Sequence, residues 1–130
     1  MKTVRTTILA LTAACLMLQG CVAAVVGAGA GAGTYAYVRG EYRATYPYPL
    51  GKTYTATLAA LKDLQMPVVS SVKDLTDGTI ESKKGDGSDV KILLKSEGVN
   101  VTSVKVRIGV FGNEAASRLI ADKISGRLEG

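Results

Sequence analysis

The sequence predicts an α+β fold in which one antiparallel sheet carries two helices on one face, with the elements in the order β-α-β-β-β-β-α. Two stretches repeat apolar residues every three or four positions, as amphipathic helices do. Five stretches alternate apolar with polar residues, as half-buried strands do. Short turns rich in Gly and Asp separate the last strands, and such turns favour antiparallel pairing of neighbours.

The first strand is expected at residues 38–46, and Pro47 and Pro49 end it because proline cannot donate to a sheet. A helix should follow from residue 51 to residue 64, since Pro67 prevents its continuation. The apolar residues expected on one face of the strand are Val38, Gly40, Tyr42, Ala44 and Tyr46, and those expected in the helix stripe are Leu50, Tyr54, Leu58, Leu61 and Leu64.

A meander of four short strands should come next. The strands are expected at residues 68–73, 79–83, 90–95 and 99–108, joined by turns at 76–78, 85–88 and 96–98. In the last strand, Val99 and Val101 have the opposite parity to Val104 and the apolar residues that follow it, so we expect a β-bulge near Thr102-Ser103.

A second helix is expected from residue 114 to residue 128. Asn113 is a favourable N-cap residue, and the negative charge of Glu114 complements the helix dipole. The residues expected to be buried are Ala116, Leu119, Ile120, Ile124 and Leu128.

The amino terminus resembles a secretory signal. Lys2 and Arg5 precede an apolar run that breaks at Gln19-Gly20, before the roughly 20 residues that a membrane-spanning helix needs. Leu18-Gln19-Gly20-Cys21 resembles the lipobox of bacterial lipoproteins, in which the cysteine becomes the lipidated first residue. We therefore predict lipidation of Cys21. The alternative is an ordinary signal peptide, or an uncleaved anchor, with a free thiol at this position.

This resemblance implies a domain organisation and a location. Residues 1–20 are expected to be the lipoprotein signal peptide, 21–35 an Ala/Gly-rich tether and 36–130 a single α+β domain. The acyl chains on Cys21 would attach the protein to a membrane, because more than one chain gives stable anchoring. Val22 stands where enteric inner-membrane lipoproteins carry Asp, so the resemblance implies the periplasmic face of the outer membrane in a Gram-negative host.

The Ala/Gly-rich stretch at residues 22–34 contains no charged residue. A flexible tether is the favoured interpretation, because glycine lowers helix propensity by about 1 kcal/mol relative to alanine. A membrane-associating or oligomerising helix remains the alternative, since Gly27/Gly31 and Gly29/Gly33 are small-xxx-small pairs.

The composition argues against catalysis. The chain has no histidine and would keep one cysteine after cleavage, which excludes Ser–His, Cys–His and His-ligated zinc sites. Ser70-Ser71-Val72-Lys73 fits S-x-x-K, but it lies in an expected strand and its partner motifs are missing. Gly51-Lys52-Thr53 is interpreted as a helix entrance, and Asp86-Gly87-Ser88-Asp89 as a hairpin tip. We predict no catalytic residue, no cofactor and no metal, and therefore no enzyme.

The small net charge of the chain and its distribution do not predict a nucleic-acid partner. The precursor carries a net charge of +5, and loss of residues 1–20 reduces Lys+Arg from 16 to 14 against 11 acidic residues, which leaves about +3. No basic cluster is interleaved with aromatic residues.

Two surfaces remain as functional candidates. Most of the six tyrosines should pack the first strand onto the sheet, although the alternative places some of them at lipid headgroups or against a partner. Residues 109–113 should form a strained turn anchored by Phe111, the alternative being an anion held by the backbone amides. The tyrosines are Tyr35, Tyr37, Tyr42, Tyr46, Tyr48 and Tyr54.

Several segments together resemble a small bacterial envelope lipoprotein family whose domain has no known function. They are the lipobox, the Ala/Gly-rich run, residues 34–41, residues 57–64 and residues 108–117 with their Gly-Val-Phe-Gly-Asn turn. The resemblance covers nearly the whole mature chain and implies no catalytic residues.

Two functional hypotheses follow. The first is a non-enzymatic envelope lipoprotein that acts as an interaction or assembly module, with another envelope protein as partner; charge reversal at Arg39 or Lys91 should then weaken the contact. The second is a periplasmic binder of a small or lipidic ligand held between sheet and helices, which needs a cavity of at least roughly 300 Å³.

Overall fold

A computed structural model describes residues 34–130, and the expected signal peptide, Cys21 and the Ala/Gly stretch up to residue 33 lie outside the described residues. The described strands form one antiparallel sheet in the order β1-β2-β6-β5-β4-β3, with both helices on one face, which confirms the expected α+β class. The elements are β1 (Thr34–Val38), β2 (Glu41–Tyr46), α1 (Leu50–Asp63), β3 (Val68–Lys73), β4 (Asp77–Lys83), β5 (Asp89–Gly98), β6 (Val101–Ile108) and α2 (Glu114–Glu129).

The segment expected as one strand is a hairpin. Arg39 and Gly40 adopt positive φ angles of 52° and 81°, and two successive left-handed residues turn the chain back on itself. β1 therefore begins at Thr34 and pairs with β2 from Val38 opposite Glu41 to Thr34 opposite Thr45. The turn also changes the parity, so Val38 shares a face with Glu41 and not with Tyr42, contrary to the expectation. The expected burial of Tyr42, Ala44 and Tyr46 is confirmed.

The expected meander is confirmed: β3, β4, β5 and β6 are consecutive neighbours in the sheet. Asp77 and Gly78 belong to β4, and not to the preceding turn as expected. Gly78 leaves space for Tyr54 of α1, because a Cβ atom at residue 78 would lie 3.0 Å from the Tyr54 ring. Space for a packed ring thus explains a glycine inside this strand.

The bulge expected in β6 is wrong. The register shift lies in β5, between Ser96 and Gly98, and Val99 belongs to the turn that follows. β6 alternates regularly because Thr102 occupies a fully buried position. Its hydroxyl donates to the Tyr48 carbonyl at 2.9 Å, which satisfies the buried polar group.

Helix α1 buries Leu50 and Leu61 as the leucine spacing predicts, but the rest of its buried face differs from the prediction. Thr53 and Thr57 are fully buried, whereas Tyr54 and Leu58 are only partly buried. Each threonine hydroxyl donates to the carbonyl oxygen four residues earlier, Thr53 to Pro49 at 3.1 Å and Thr57 to Thr53 at 2.8 Å. Because the hydroxyls are satisfied within the helix, the methyl groups can face the core.

Helix α2 begins as expected, since the Asn113 side chain accepts a hydrogen bond from the Ala116 amide at 3.0 Å. Ile120, Ile124 and Leu128 are buried as expected. Leu119 is 49% exposed, contrary to the expectation. The helix instead turns Ala121 inward, together with Ser117, and the side chains that complete the core from the sheet are Ile80, Val90, Ile92, Leu94, Val104, Val106 and Ile108.

Candidate interaction surfaces

The sheet has two ends that differ in what they carry. At the first, which we call the Thr34 end, a continuous cross-strand row crosses five strands. The turns β3–β4 and β5–β6 project just beyond it. At the opposite Gly40 end lie the β1–β2 turn, the β4–β5 turn and residues 109–113, which we call the apical loop. The row at the Thr34 end consists of Thr34, Thr45, Ser103, Lys95 and Asp77.

The apical loop is held in place by side-chain and backbone contacts. Gly109 and Gly112 have φ angles of +69° and +82°, which reverse the chain between β6 and α2. The Arg107 guanidinium donates to the Val110 carbonyl at 2.6 Å and to the Arg39 carbonyl at 3.4 Å. One side chain therefore joins the apical loop to the β1–β2 turn.

Gly40 and Gly112 bring these two segments into direct backbone contact. A Cβ atom at residue 112 would lie 2.5 Å from the Gly40 Cα and 2.7 Å from the Tyr37 hydroxyl oxygen. A Cβ atom at residue 40 would lie 2.9 Å from the Phe111 carbonyl oxygen. Only glycine permits this approach, so the position of the loop depends on both residues.

The loop presents apolar side chains to solvent. Phe111 is 93% exposed and Val110 is 78% exposed. The strained turn expected here is present, but the expectation that Phe111 anchors it by packing is wrong. Arg107 and the glycine pair hold the loop instead. The sequence signal for an exposed tip was the pair of apolar residues between two glycines, directly before a helix N-cap.

The sheet face opposite the helices is open and carries many cations. Lys91 lies across from Glu81 at 4.0 Å, and Leu93 is a partly exposed apolar residue in the middle of this face. Arg39 lies at the edge of the face, where its carbonyl accepts the hydrogen bond from Arg107. The structure thus places Arg39 beside the apical loop and Lys91 in the open face.

Five of the tyrosines pack against the core, which confirms the packing interpretation for them. Tyr35 is exposed but stacks on Tyr42, with ring centroids 6.0 Å apart. Tyr46 of β2 donates its hydroxyl to the Ala121 carbonyl of α2 at 2.9 Å. Burial raises the pKa of Tyr46 well above the ordinary phenol value, and it raises the pKa of Tyr42 as well.

The motif-like strings occupy the expected structural positions. Residues 70–73 lie in the exposed edge strand β3, and residues 51–53 lie in the first turn of α1. Asp86 accepts hydrogen bonds from the Ser88 amide and the Lys84 ammonium at a hairpin tip. The side chain of Ser88, the Lys84 ammonium and the Ser88 amide together hold the pKa of the Asp86 carboxyl well below its usual range. Within the described part of the chain, no group of three His, Cys, Asp or Glu side chains could hold a metal ion.

Two depressions of about 470 and 490 Å³ lie along the outer surface of α2. Leu119 and Asp122 line both of them. At one rim, the Arg127 guanidinium donates to both carboxylate oxygens of Asp63, through Nε at 2.7 Å and Nη2 at 2.5 Å, which joins α2 to α1. Neither depression lies between sheet and helices, where the hypothesis of a ligand-binding protein expects the ligand.

The fold and these surfaces define a small α+β domain in which exposed loops and an open sheet face surround a packed core. The chain belongs to the family described as protein of unknown function (DUF3568), whose model matches residues 4–127. No curated protein matches the chain. In residues 34–130, neither helix is long and apolar enough to cross a membrane.

Proposed function

We propose that this chain is a non-catalytic lipoprotein of the bacterial cell envelope, anchored by acyl chains on Cys21 at the periplasmic face of the outer membrane. Its α+β domain would act as an interaction module that docks onto another envelope protein through the apical loop. The observation that carries the docking proposal is the almost complete exposure of Phe111 on a loop fixed by Arg107 and by the Gly40–Gly112 contact.

Rigid presentation of an aromatic residue favours binding. An exposed phenylalanine gains free energy when it enters an apolar pocket, and aromatic residues are enriched in the buried centres of interfaces. Because the loop is already ordered, binding loses little additional conformational entropy. Val110 extends the apolar tip, and charged residues of both signs, Arg39, Arg107, Glu41 and Glu114, lie close to it in the chain or the sheet. This arrangement suits a partner with an apolar pocket and a polar surround.

The position of the loop also supports this proposal. The polypeptide that follows Cys21 enters the domain at Thr34, and the apical loop lies at the opposite end of β1 and β2. A partner could therefore reach Phe111 without competing with the membrane attachment for the same end of the sheet.

Anchoring is tested at Cys21. The intact protein is expected to fractionate with the outer membrane, and its mature amino-terminal peptide is expected to carry acyl groups by mass spectrometry. Cys21→Ser should lose the acyl groups and leave the outer-membrane fraction, because the lipid supplies the attachment there. Recovery of Cys21→Ser in the outer membrane at the level of the parent protein would contradict the acyl anchor and support the alternative of a membrane-associating Ala/Gly helix.

Docking is tested by in-cell crosslinking and mass spectrometry with three variants of the intact lipoprotein. Phe111→Ser should abolish the main crosslinked species because it removes the apolar anchor. Arg39→Glu should weaken it by reversing a charge beside the apical loop, and Lys91→Glu reports whether the open face takes part.

Leu75→Ser is the matched control, since it changes an equally exposed apolar residue at the Thr34 end. An unchanged crosslink pattern in Phe111→Ser, at equal protein abundance, would exclude the apical loop as the docking site.

A further inference from the structure

The Thr34 end carries its own pair of exposed apolar tips. Leu75, in the β3–β4 turn, is 97% exposed, and Val99, in the β5–β6 turn, is 89% exposed. Single exposed apolar residues are common, but here two of the four most exposed large apolar side chains of residues 34–130 project beyond the same end of one sheet.

Hydrogen bonds hold the two turns in a fixed relation. The Ser96 amide donates to the Thr76 carbonyl at 2.7 Å, which joins the β3–β4 turn to β5. The Asp74 amide donates to the Asp77 carbonyl at 2.8 Å and closes the first turn. The Ser96 hydroxyl donates to the Gly98 carbonyl at 3.0 Å and stabilises the second. The two apolar tips therefore belong to an ordered rim.

The chain enters the domain at this rim. Thr34 lies in the same cross-strand row as Lys95 and Asp77, which are close in sequence to the two tips. Residues 22–33 connect it to Cys21, and the tether that the sequence predicts for them would span about 20 Å on average. A lipid on Cys21 would hold the rim at high effective concentration next to the bilayer.

The charges of the rim agree with a zwitterionic surface. Five charged residues flank the tips and nearly cancel, so strong attraction to anionic lipid is not expected. They are Lys73, Asp74, Asp77, Lys95 and Glu97.

We infer that the Thr34 end of the sheet rests on the lipid surface, with Leu75 and Val99 at the boundary between headgroups and acyl chains. The inference depends on the proposed lipid anchor at Cys21. It gives the domain a defined orientation: the rim faces the membrane, and the apical loop with Phe111 points away from it.

The chain contains no tryptophan, so a single introduced tryptophan reports one position. The intact lipoprotein with Leu75→Trp, Val99→Trp or Phe111→Trp would be reconstituted into phosphatidylethanolamine–phosphatidylcholine vesicles that contain lipids brominated in the acyl chains. Emission from L75W and V99W should shift to shorter wavelength and be quenched. Emission from F111W, the matched control on the same tether, should remain that of an exposed indole.

A second variant tests whether the rim as a whole contacts lipid, or whether only the introduced tryptophan inserts into it. Leu75→Asp in the V99W protein should reduce the quenching, because a carboxylate at the other tip opposes burial of the rim in lipid. Quenching that is equal for all three reporters, or strongest for F111W, would overturn the inference.

Flotation of the same samples with the vesicles distinguishes failure of the orientation from failure of the anchor. If the protein floats with the vesicles but L75W and V99W are not quenched, the result agrees with the proposed anchor and overturns the proposed orientation. Protein that does not float, although Cys21 is intact, contradicts the anchor itself and the orientation with it.

Discussion

At the scale of single residues, Gly112 has the strictest requirement in the described chain. Its φ of +82° is strained for any side chain, and a Cβ atom would collide with the backbone of Gly40. Both the conformation and the contact belong to the apical loop, so this residue links the local backbone to the surface that we propose for docking.

Gly112→Ala is therefore expected to lower the free energy of unfolding by about 2–4 kcal/mol, the sum of left-handed strain and crowding. Gly109→Ala is the matched control, since its φ is +69° but nothing lies within 4 Å of the added Cβ. It should cost only the strain, about 1–2 kcal/mol. Urea unfolding measures both values, and equal losses would show that the Gly40 contact relaxes without cost.

Two buried serines differ in whether the hydroxyl has a hydrogen-bond partner. The Ser117 hydroxyl is fully buried and has no hydrogen-bond partner in residues 34–130, whereas the buried Ser82 hydroxyl donates to the Pro67 carbonyl at 2.9 Å. Ser117→Ala should raise the free energy of unfolding by about 0.5–1 kcal/mol, because an unsatisfied group is removed from a helix. Ser82→Ala should lower it by about 1 kcal/mol. Urea unfolding in which Ser117→Ala is the more destabilising of the two would contradict this assignment.

At the scale of elements, Tyr46 joins the sheet to a helix. Its hydroxyl reaches the α2 backbone from β2, and burial raises its pKa above the ordinary value of 10.0. The folded protein thus keeps the phenolic proton to a higher pH than the unfolded chain does. This contribution to stability is complete below pH 10 and is lost as the pH rises from there towards the folded-state pKa.

Tyr46→Phe should be less stable at neutral pH by about 1 kcal/mol, because the hydrogen bond is lost. Between about pH 9 and pH 11 its free energy of unfolding should fall less than that of the parent protein, since one raised pKa has been removed. Other titrating groups contribute in both proteins, so the difference between the two pH dependences is the measured quantity. Parallel curves would mean that Tyr46 ionises in the folded state as it does in the unfolded chain.

Most elements could be predicted from local pattern, and the errors have local causes. The alternation in β4 and at residues 90–95 of β5, the helical periodicity and the Asn113 cap are properties of neighbouring residues, and the structure confirms them. The Arg39-Gly40 turn was missed because alternation continues through it. The buried faces of α1 and α2 were only partly predicted, because threonine hydroxyls satisfied within α1 and the close approach of Tyr46 to α2 favour small side chains at the core.

At the scale of the whole molecule, the two ends of the sheet carry different features. Chain entry, Leu75 and Val99 are at one end, and Phe111 is at the other. The two proposals use these ends separately, since the anchor and the lipid contact concern the Thr34 end and docking concerns the Gly40 end. Variants at one end should therefore leave the function of the other end intact. The use of Leu75→Ser as the control for docking and of Phe111→Trp as the control for lipid contact depends on this independence.

The sequence by itself determined the α+β class, the meander, the helix boundaries to within a residue or two, and the residue types that argue against a histidine- or cysteine-based site. These follow from periodicity, turn chemistry and composition, which act between residues close in the chain. Only the tertiary structure decided that β2 lies beside β6, that Phe111 stays in solvent, and that Leu75 and Val99 share one rim with Thr34. Exposure and proximity depend on contacts between segments far apart in sequence, and no local pattern specifies them.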